Sequence, residues 1–182
     1  IAFENETTKA DTSFVTYHDA WVEAGNHLLG PHGVPDGGRQ LAKTYAQLHA
    51  SAIAFPEVHR AVKVLRGRFP LALVANADHG FLIDCLKNNG FEFDVVVDSQ
   101  GMDCYKPDSR IFDEACSRLS VEPATCVMVG DTPGTDISGA RRVGMPAVWI
   151  NRVGMTWPSG MAAPDAVITN LSELPLLLGC SC

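Results

Sequence analysis

The strongest constraint on this chain is a series of four short, almost wholly apolar runs: Leu71-Ala-Leu-Val-Ala75, Asp94-Val-Val-Val97, Cys126-Val-Met-Val129 and Ala147-Val-Trp-Ile150. Apolar runs of this length, rich in β-branched residues, match strands buried on both faces of a parallel sheet. A weaker fifth run is Ala166-Val-Ile168. Helical periods lie between them. Phe81, Leu82, Cys85 and Leu86 share one helical face, with Asp78 expected as N-cap and Gly90 as the stop. Ile111, Phe112, Ala115 and Leu119 repeat in the same way after Pro107, and Ile137, Ala140 and Val143 do so before Gly144. Alternation of strand and helix implies right-handed crossovers, so the expected fold is α/β, a doubly wound parallel sheet.

Residues from about 12 to 68 break this rhythm. Phe14, Tyr17, Trp21 and Leu28 fall at helical spacing, and Gly30-Pro-His-Gly33 and Pro35-Asp-Gly-Gly38 then interrupt the chain. Two further helical stretches follow, around 39–52 and 57–66, with no strand candidate between them. An insertion of this size is too small for a core of its own. The expected organisation is a core domain of 1–10 and 69–182, and a short all-helical cap of 11–68 resting on the sheet.

Composition narrows the function. Of 182 residues 46% are apolar, enough for one domain with a packed core, and 19% are charged, too few for a disordered tail. Asp plus Glu outnumber Lys plus Arg by 21 to 14, a net charge of −7 that argues against a nucleic-acid surface. No apolar run approaches the ~20 residues that span a bilayer, and no basic-then-apolar leader is read at the start. The expected setting is the cytoplasm, without a membrane partner. The cysteines at 85, 104, 116, 126, 180 and 182 form no CxxC and read best as buried free thiols. The Gly179-Cys180-Ser181-Cys182 tail is expected to be a frayed terminus rather than a lipidated or metal-binding end. A start at Ile1 leads us to expect a few further residues upstream.

Ligands of an open α/β sheet bind beyond the carboxyl ends of the strands, so the residues that follow each strand carry the chemistry. Asn76-Ala-Asp-His79 follows the first run. Asp98-Ser99 follows the second, with Lys106-Pro-Asp108 ahead of the next helix, and Gly130-Asp-Thr-Pro-Gly-Thr-Asp136 follows the third. Ile1-Ala-Phe3 reads as the end of a further strand leading into Glu4-Asn-Glu-Thr-Thr8. One rim would gather Glu4, Glu6, Thr8, Asn76, Lys106, Asp131 and Asp136. Four carboxylates at close range repel unless a cation sits among them, and Mg²⁺ beside Lys106 answers that. Each residue also has a plainer reading. Asp131 suits a strand-ending turn, Asp136 a helix cap, Lys106 a solvated helix start, Asn76 a turn, and Glu4 and Glu6 a solvated terminus. His79 reads as a surface or core-edge histidine, and Arg141 and Arg142 as the exposed side of a helix.

This order of elements resembles the haloacid dehalogenase superfamily over nearly the whole chain. The family pattern is a strand with Asp-x-Asp-x-x-Thr or close spacing, a helical cap, and a strand ending in Ser/Thr-Asn. A Lys before a helix and a strand ending in Gly-Asp-x-x-x-x-Asp complete it. Gly130-Asp131 with Asp136 and Lys106 in Tyr105-Lys-Pro-Asp108 carry the resemblance, with Gly139-Ala-Arg141 and Gly144-Met145 beside them. It implies a Rossmannoid core, Mg²⁺ held by Asp131, Asp136 and Glu4, and a small phosphorylated substrate contacted by Thr8, Asn76 and Lys106. Glu4 stands where the family has its nucleophilic Asp, Glu6 where it has the acid/base Asp, and Ala75 where it has the phosphoryl-binding Ser/Thr.

Each Asp-to-Glu change moves a carboxylate by roughly 1.5 Å, and misplacement of about 1 Å costs on the order of 100-fold. Loss of one preorganised donor costs roughly 100- to 1000-fold, although such losses need not multiply. Two functions follow. One is a phosphatase-like hydrolase using Glu4, Glu6 and Lys106. The other is a catalytically inactive module of the same fold that binds a ligand or a protein. A dehalogenase fits less well because of Glu6 and the Gly130-Asp131 motif. A phospho-acceptor receiver domain is set aside because Lys106 precedes Asp131. No oligomeric state is assigned.

Overall fold

In the computed structural model, the chain is described over residues 13–180. The expected strand at Ile1–Phe3 and the candidates Glu4, Glu6 and Thr8 lie outside the described residues, as does Cys182. Strand β1 (Ala72–Ala75) pairs with β2 (Val95–Asp98), and a second sheet has the order β3 (Met128–Gly130), β4 (Ala147–Ile150), β5 (Ala166–Ile168). All three strands of the second sheet are parallel, in a register that sets Gly130 beside Trp149 and Ile150 beside Ile168. Among the described strands only the middle one, β4, is buried at every residue. Val167 on β5 is 53% exposed, as befits an edge.

The described chain divides into two bodies. The sheet body holds Ala54–Val74, Phe93–Val97 and residues from Lys106 onward. Its core cluster joins Val148 and Ile150 of β4 and Ile168 of β5 to Leu65, Leu174 and Cys180. Leu65 comes from α3 (Val58–Arg66), whose buried face is Ala61 and Leu65. Helix α6 (Ser109–Leu119) buries Ile111, Phe112, Ala115 and Cys116, and Asp108 caps it by accepting the Arg110 amide at 3.0 Å. Helix α7 (Ser138–Arg142) comes close to α6 because residue 139 is Gly, and a Cβ there would clash with the edge of the Phe112 ring.

The second body takes in residues 13–53 with Ala75–Glu92 and Asp98–Tyr105. It contains α1 (Tyr17–Leu29), α2 (Gly37–Ala50), α4 (His79–Asn89) and the short α5 (Ser99–Met102). Helices α1 and α2 meet through glycines. A Cβ on Gly38 would overlap the Val22 carbonyl and the Asn26 side chain, and the Gly38 amide donates to Asn26 Oδ1 at 3.2 Å. Around Tyr45 gather Trp21, His49 and Phe81, with ring centroids 5.0, 4.2 and 5.8 Å away. Leu28, expected on the apolar face, is 62% exposed.

One capping expectation is corrected. Asp78 occupies the N-cap position of α4 but makes no side-chain bond to that helix. Its buried carboxylate instead accepts the Tyr17 and His18 amides at 2.9 and 2.7 Å, closing the start of α1 from 61 and 60 residues away. The expected stop at Gly90 is present as a left-handed residue with φ 65°. The described cysteines are free thiols. Cys116 and Cys126 have their sulfurs 3.9 Å apart, and burial, aided by the Cys126 thiol, pushes the Cys116 thiol up to about 12. A thiol so held is neutral at physiological pH and serves packing.

Candidate active site

Strand β3 ends at Gly130, and Asp131 and Thr132 lead from it into a π-helical turn over Pro133–Ile137. Within that turn Asp136 is folded back on the strand end. One carboxylate oxygen, Oδ2, accepts the Thr132 amide at 3.0 Å, and the other, Oδ1, lies 2.8 Å from Lys106 Nζ. Both partners of this ion pair are almost fully buried. Lys106 Nζ also donates to the Val74 carbonyl at 2.9 Å, so a single ammonium ties the end of β1 to the turn after β3. A buried pair of this kind adds little net stability, but removing one partner strands a charge at a cost of about 3–5 kcal/mol.

Glycine at 130 makes the arrangement possible. A Cβ there would overlap the Cβ, Cγ and Oδ2 of Asp136, so the residue before the exposed aspartate has to lack a side chain. Asp131 differs from Asp136 in every respect. Its side chain is exposed, and Oδ1 accepts the Thr132 hydroxyl at 3.3 Å. Its backbone carbonyl accepts the indole N–H of Trp149 at 2.9 Å. Two carboxylates five residues apart thus have separate tasks. One fixes a lysine, and the other offers oxygen to whatever lies beyond the strand.

The sheet body therefore brings together Lys106, Asp131 and Asp136. Asn76 belongs to the other body and is half-buried. Ala75, the last residue of β1, presents no hydroxyl. Also in that body, the buried Asp98 accepts from the Gly101 amide at 2.7 Å and lies 2.8 Å from His79 Nδ1, whose ring is largely exposed. The sequence reading passed over Trp149 and Thr132. A signal for the first was available, since a Trp inside a strand buried on both faces needs an acceptor for its N–H.

Whether the residues suit a divalent cation turns on the donors. Asp136 has both oxygens committed, one to Lys106 and one to the Thr132 amide. Among the described residues no group of three or more His, Cys, Asp or Glu is gathered for a metal. Mg²⁺, however, keeps several waters and takes one or two carboxylates from the protein. Asp131, an exposed hard-oxygen donor on a fixed backbone, suits that role.

Three comparisons bear on this geometry. A phosphoserine phosphatase of Thermus thermophilus is 31% identical over 161 residues, 87% of this chain and 61% of that protein. Human N-acylneuraminate-9-phosphatase is 41% identical over 87 residues, 47% of this chain and 35% of that protein. The chain thus spans less than two thirds of either relative. The crystal structure of a 2-haloacid dehalogenase from Pseudomonas syringae superposes with a TM-score of 0.72 at 31% identity, over 90% of this chain and 72% of that one. The model of the haloacid dehalogenase-like hydrolase family matches residues 16–144, a stretch that holds Lys106, Asp131 and Asp136 in their expected order. The chain belongs to the haloacid dehalogenase-like hydrolases.

Proposed function

We propose that the chain is a phosphatase-like hydrolase for a small phosphorylated substrate, with Mg²⁺ held in part by Asp131. The observation that carries this reading is the buried Lys106–Asp136 pair next in the fold to the exposed Asp131 carboxylate. In such a site Lys106 neutralises charge on the transferred group. Asp136 keeps the ammonium in place and also fixes the Thr132 amide. Bound Mg²⁺ supplies charge neutralisation at the phosphoryl oxygens. Glu4 is the proposed nucleophile and a second metal ligand, and Glu6 the proposed acid/base. Thr8 and Asn76 are the proposed contacts to the phosphoryl group. Phosphatases and haloacid dehalogenases both stand among the relatives, and the acidic Glu6 with the Gly130-Asp131 motif favours a phosphate ester over a haloacid.

Within the segment 11–68, expected as a cap on a core of 1–10 and 69–182, the glycine-paired helices α1 and α2 are the proposed cap, whereas α3 packs in the sheet body through Leu65. Free thiols among the described cysteines support a reducing compartment, the cytoplasm. Among the described residues no helix is long and apolar enough to cross a membrane.

The second reading, an inactive binding module, is favoured by Glu4, Glu6 and the missing hydroxyl at Ala75. One series separates the two: Mg²⁺-dependent hydrolysis of an aryl phosphate by the native chain, by Glu4→Gln, and by Glu4→Asp, Glu6→Asp and Ala75→Thr combined. Native turnover abolished in Glu4→Gln is the result expected of the hydrolase. An inert native chain, with activity appearing only in the triple variant, would establish the binding module.

A further inference from the structure

Trp149 does more than fill the sheet. It is 3% exposed on the middle strand β4, and the register places it directly beside Gly130, the last paired residue of β3. Beyond that pair the chain turns away, and Trp149 follows it with its side chain: the indole Nε1–H donates to the Asp131 carbonyl at 2.9 Å. The indole is a donor with no alternative use, since it cannot accept. Trp157 packs edge-on against it, with centroids 5.0 Å apart and planes at 69°, and Trp157 is in turn tied to the Met161 carbonyl at 3.2 Å. The peptide unit that follows Asp131 is thereby held at both of its polar groups, by Trp149 at the Asp131 carbonyl and by Asp136 at the Thr132 amide.

We infer that Trp149 is a positioning residue, whose indole N–H aims the Asp131 carboxylate at the divalent cation. The inference rests on the reading of Asp131 as a metal ligand. Outer partners that orient a metal ligand typically change affinity by about 10- to 100-fold when removed. Trp149 acts through the backbone of the ligand rather than on its carboxylate, so the lower end of that range applies.

Trp149→Phe keeps a ring and deletes the N–H. Mg²⁺ binding is measured by calorimetry on the native chain, on Trp149→Phe, on Trp157→Phe and on Ile168→Val, a buried change in β5 that lowers stability without touching residue 131. The expected result is a Mg²⁺ dissociation constant raised about 10-fold in Trp149→Phe, with Trp157→Phe and Ile168→Val within twofold of native. A second readout needs no altered residue at 149. In ¹⁵N-labelled native protein the indole resonance of Trp149, identified by elimination with Trp21→Phe and Trp157→Phe, shifts as Mg²⁺ is added. Equal Mg²⁺ affinity in Trp149→Phe, or a stationary Trp149 resonance while the native chain binds the ion, overturns the inference and leaves the metal reading standing. A native chain that takes up no Mg²⁺ ends both.

Discussion

Gly38 and Gly130 each occupy a place where a Cβ would collide, but with different neighbours. At Gly38 the space is taken by another helix, the Val22 carbonyl and the Asn26 side chain of α1. At Gly130 it is taken by the carboxylate arm of Asp136, which reaches Lys106. The first glycine lets two backbones approach, and the second makes room for a charge. Damage in the helix pair should therefore appear as lost packing. Damage at Gly130 should appear as an electrostatic fault, because a buried ion loses its partner.

The largest effect is expected at Gly130. Gly130→Ala drives Asp136 from its place and breaks the pair with Lys106, lowering the free energy of unfolding in urea by about 3–5 kcal/mol. A cycle with Asp136→Ala isolates the cause. Once alanine is at 130, removal of Asp136 should cost little more, a non-additivity of at least about 1 kcal/mol. Strict additivity would show that the clash is absorbed elsewhere and that the glycine does not serve the ion pair.

Much of this region was legible in the sequence, and the reason is local order. The run Ala147–Ile150 is a strand at both of its expected limits, and Ala166–Ile168 is as well. The run expected from Cys126 begins its pairing only at Met128, because Pro123–Thr125 forms a 3₁₀ turn that delays the ladder. Lys106 and Asp136 could be nominated from spacing, but the division of labour between Asp131 and Asp136 could not. That division follows from Asp136 folding back over a glycine, a contact between side chain and strand that no periodicity encodes. Asp78 stands at the N-cap position expected of it, but for the same reason its bond was not legible: the tertiary structure gives its carboxylate to α1.

Next in size is Gly38→Ala. The methyl group meets backbone as well as the Asn26 amide, and over-packing of this kind costs typically about 1–3 kcal/mol. Alanine also regains up to about 1 kcal/mol of helix propensity, so the net loss should fall in the lower part of that range. Thermal unfolding should report it, while Mg²⁺ affinity stays as in the native chain. Should Gly38→Ala weaken Mg²⁺ binding more than Gly130→Ala does, the contrast between a packing glycine and an electrostatic one is lost.

The contrast sharpens at two helix starts. Asp78 closes α1 across the chain and is buried, whereas Asp108 closes its own helix α6 and is partly exposed. Asp78→Ala leaves two helical amides without their acceptor, and a cap loss at the upper end, about 2 kcal/mol, is expected as a lower thermal midpoint. Loss of less than about 0.5 kcal/mol would mean that water replaces the carboxylate at those amides.

Asp108→Ala should have the smallest effect, about 1 kcal/mol at neutral pH, since water can reach the amide that the side chain leaves. Its pH dependence identifies it. The Arg110 guanidinium, 2.8 Å from Oδ2, holds the Asp108 carboxyl below its usual value of 3.8, partly opposed by the desolvation that burial brings. A carboxylate with a depressed folded-state value stabilises the protein above the unfolded-state value, and that contribution is lost as pH falls through the folded one. The gap between native and Asp108→Ala should therefore be constant from pH 7 to about 5 and shrink as the carboxyl protonates below about pH 4. Urea unfolding of both proteins across that range gives the difference directly, and other acid-sensitive groups cancel because both chains carry them. A gap that keeps its full size at pH 3 would assign the effect to the apolar part of the side chain, and α6 would then start on packing rather than on charge.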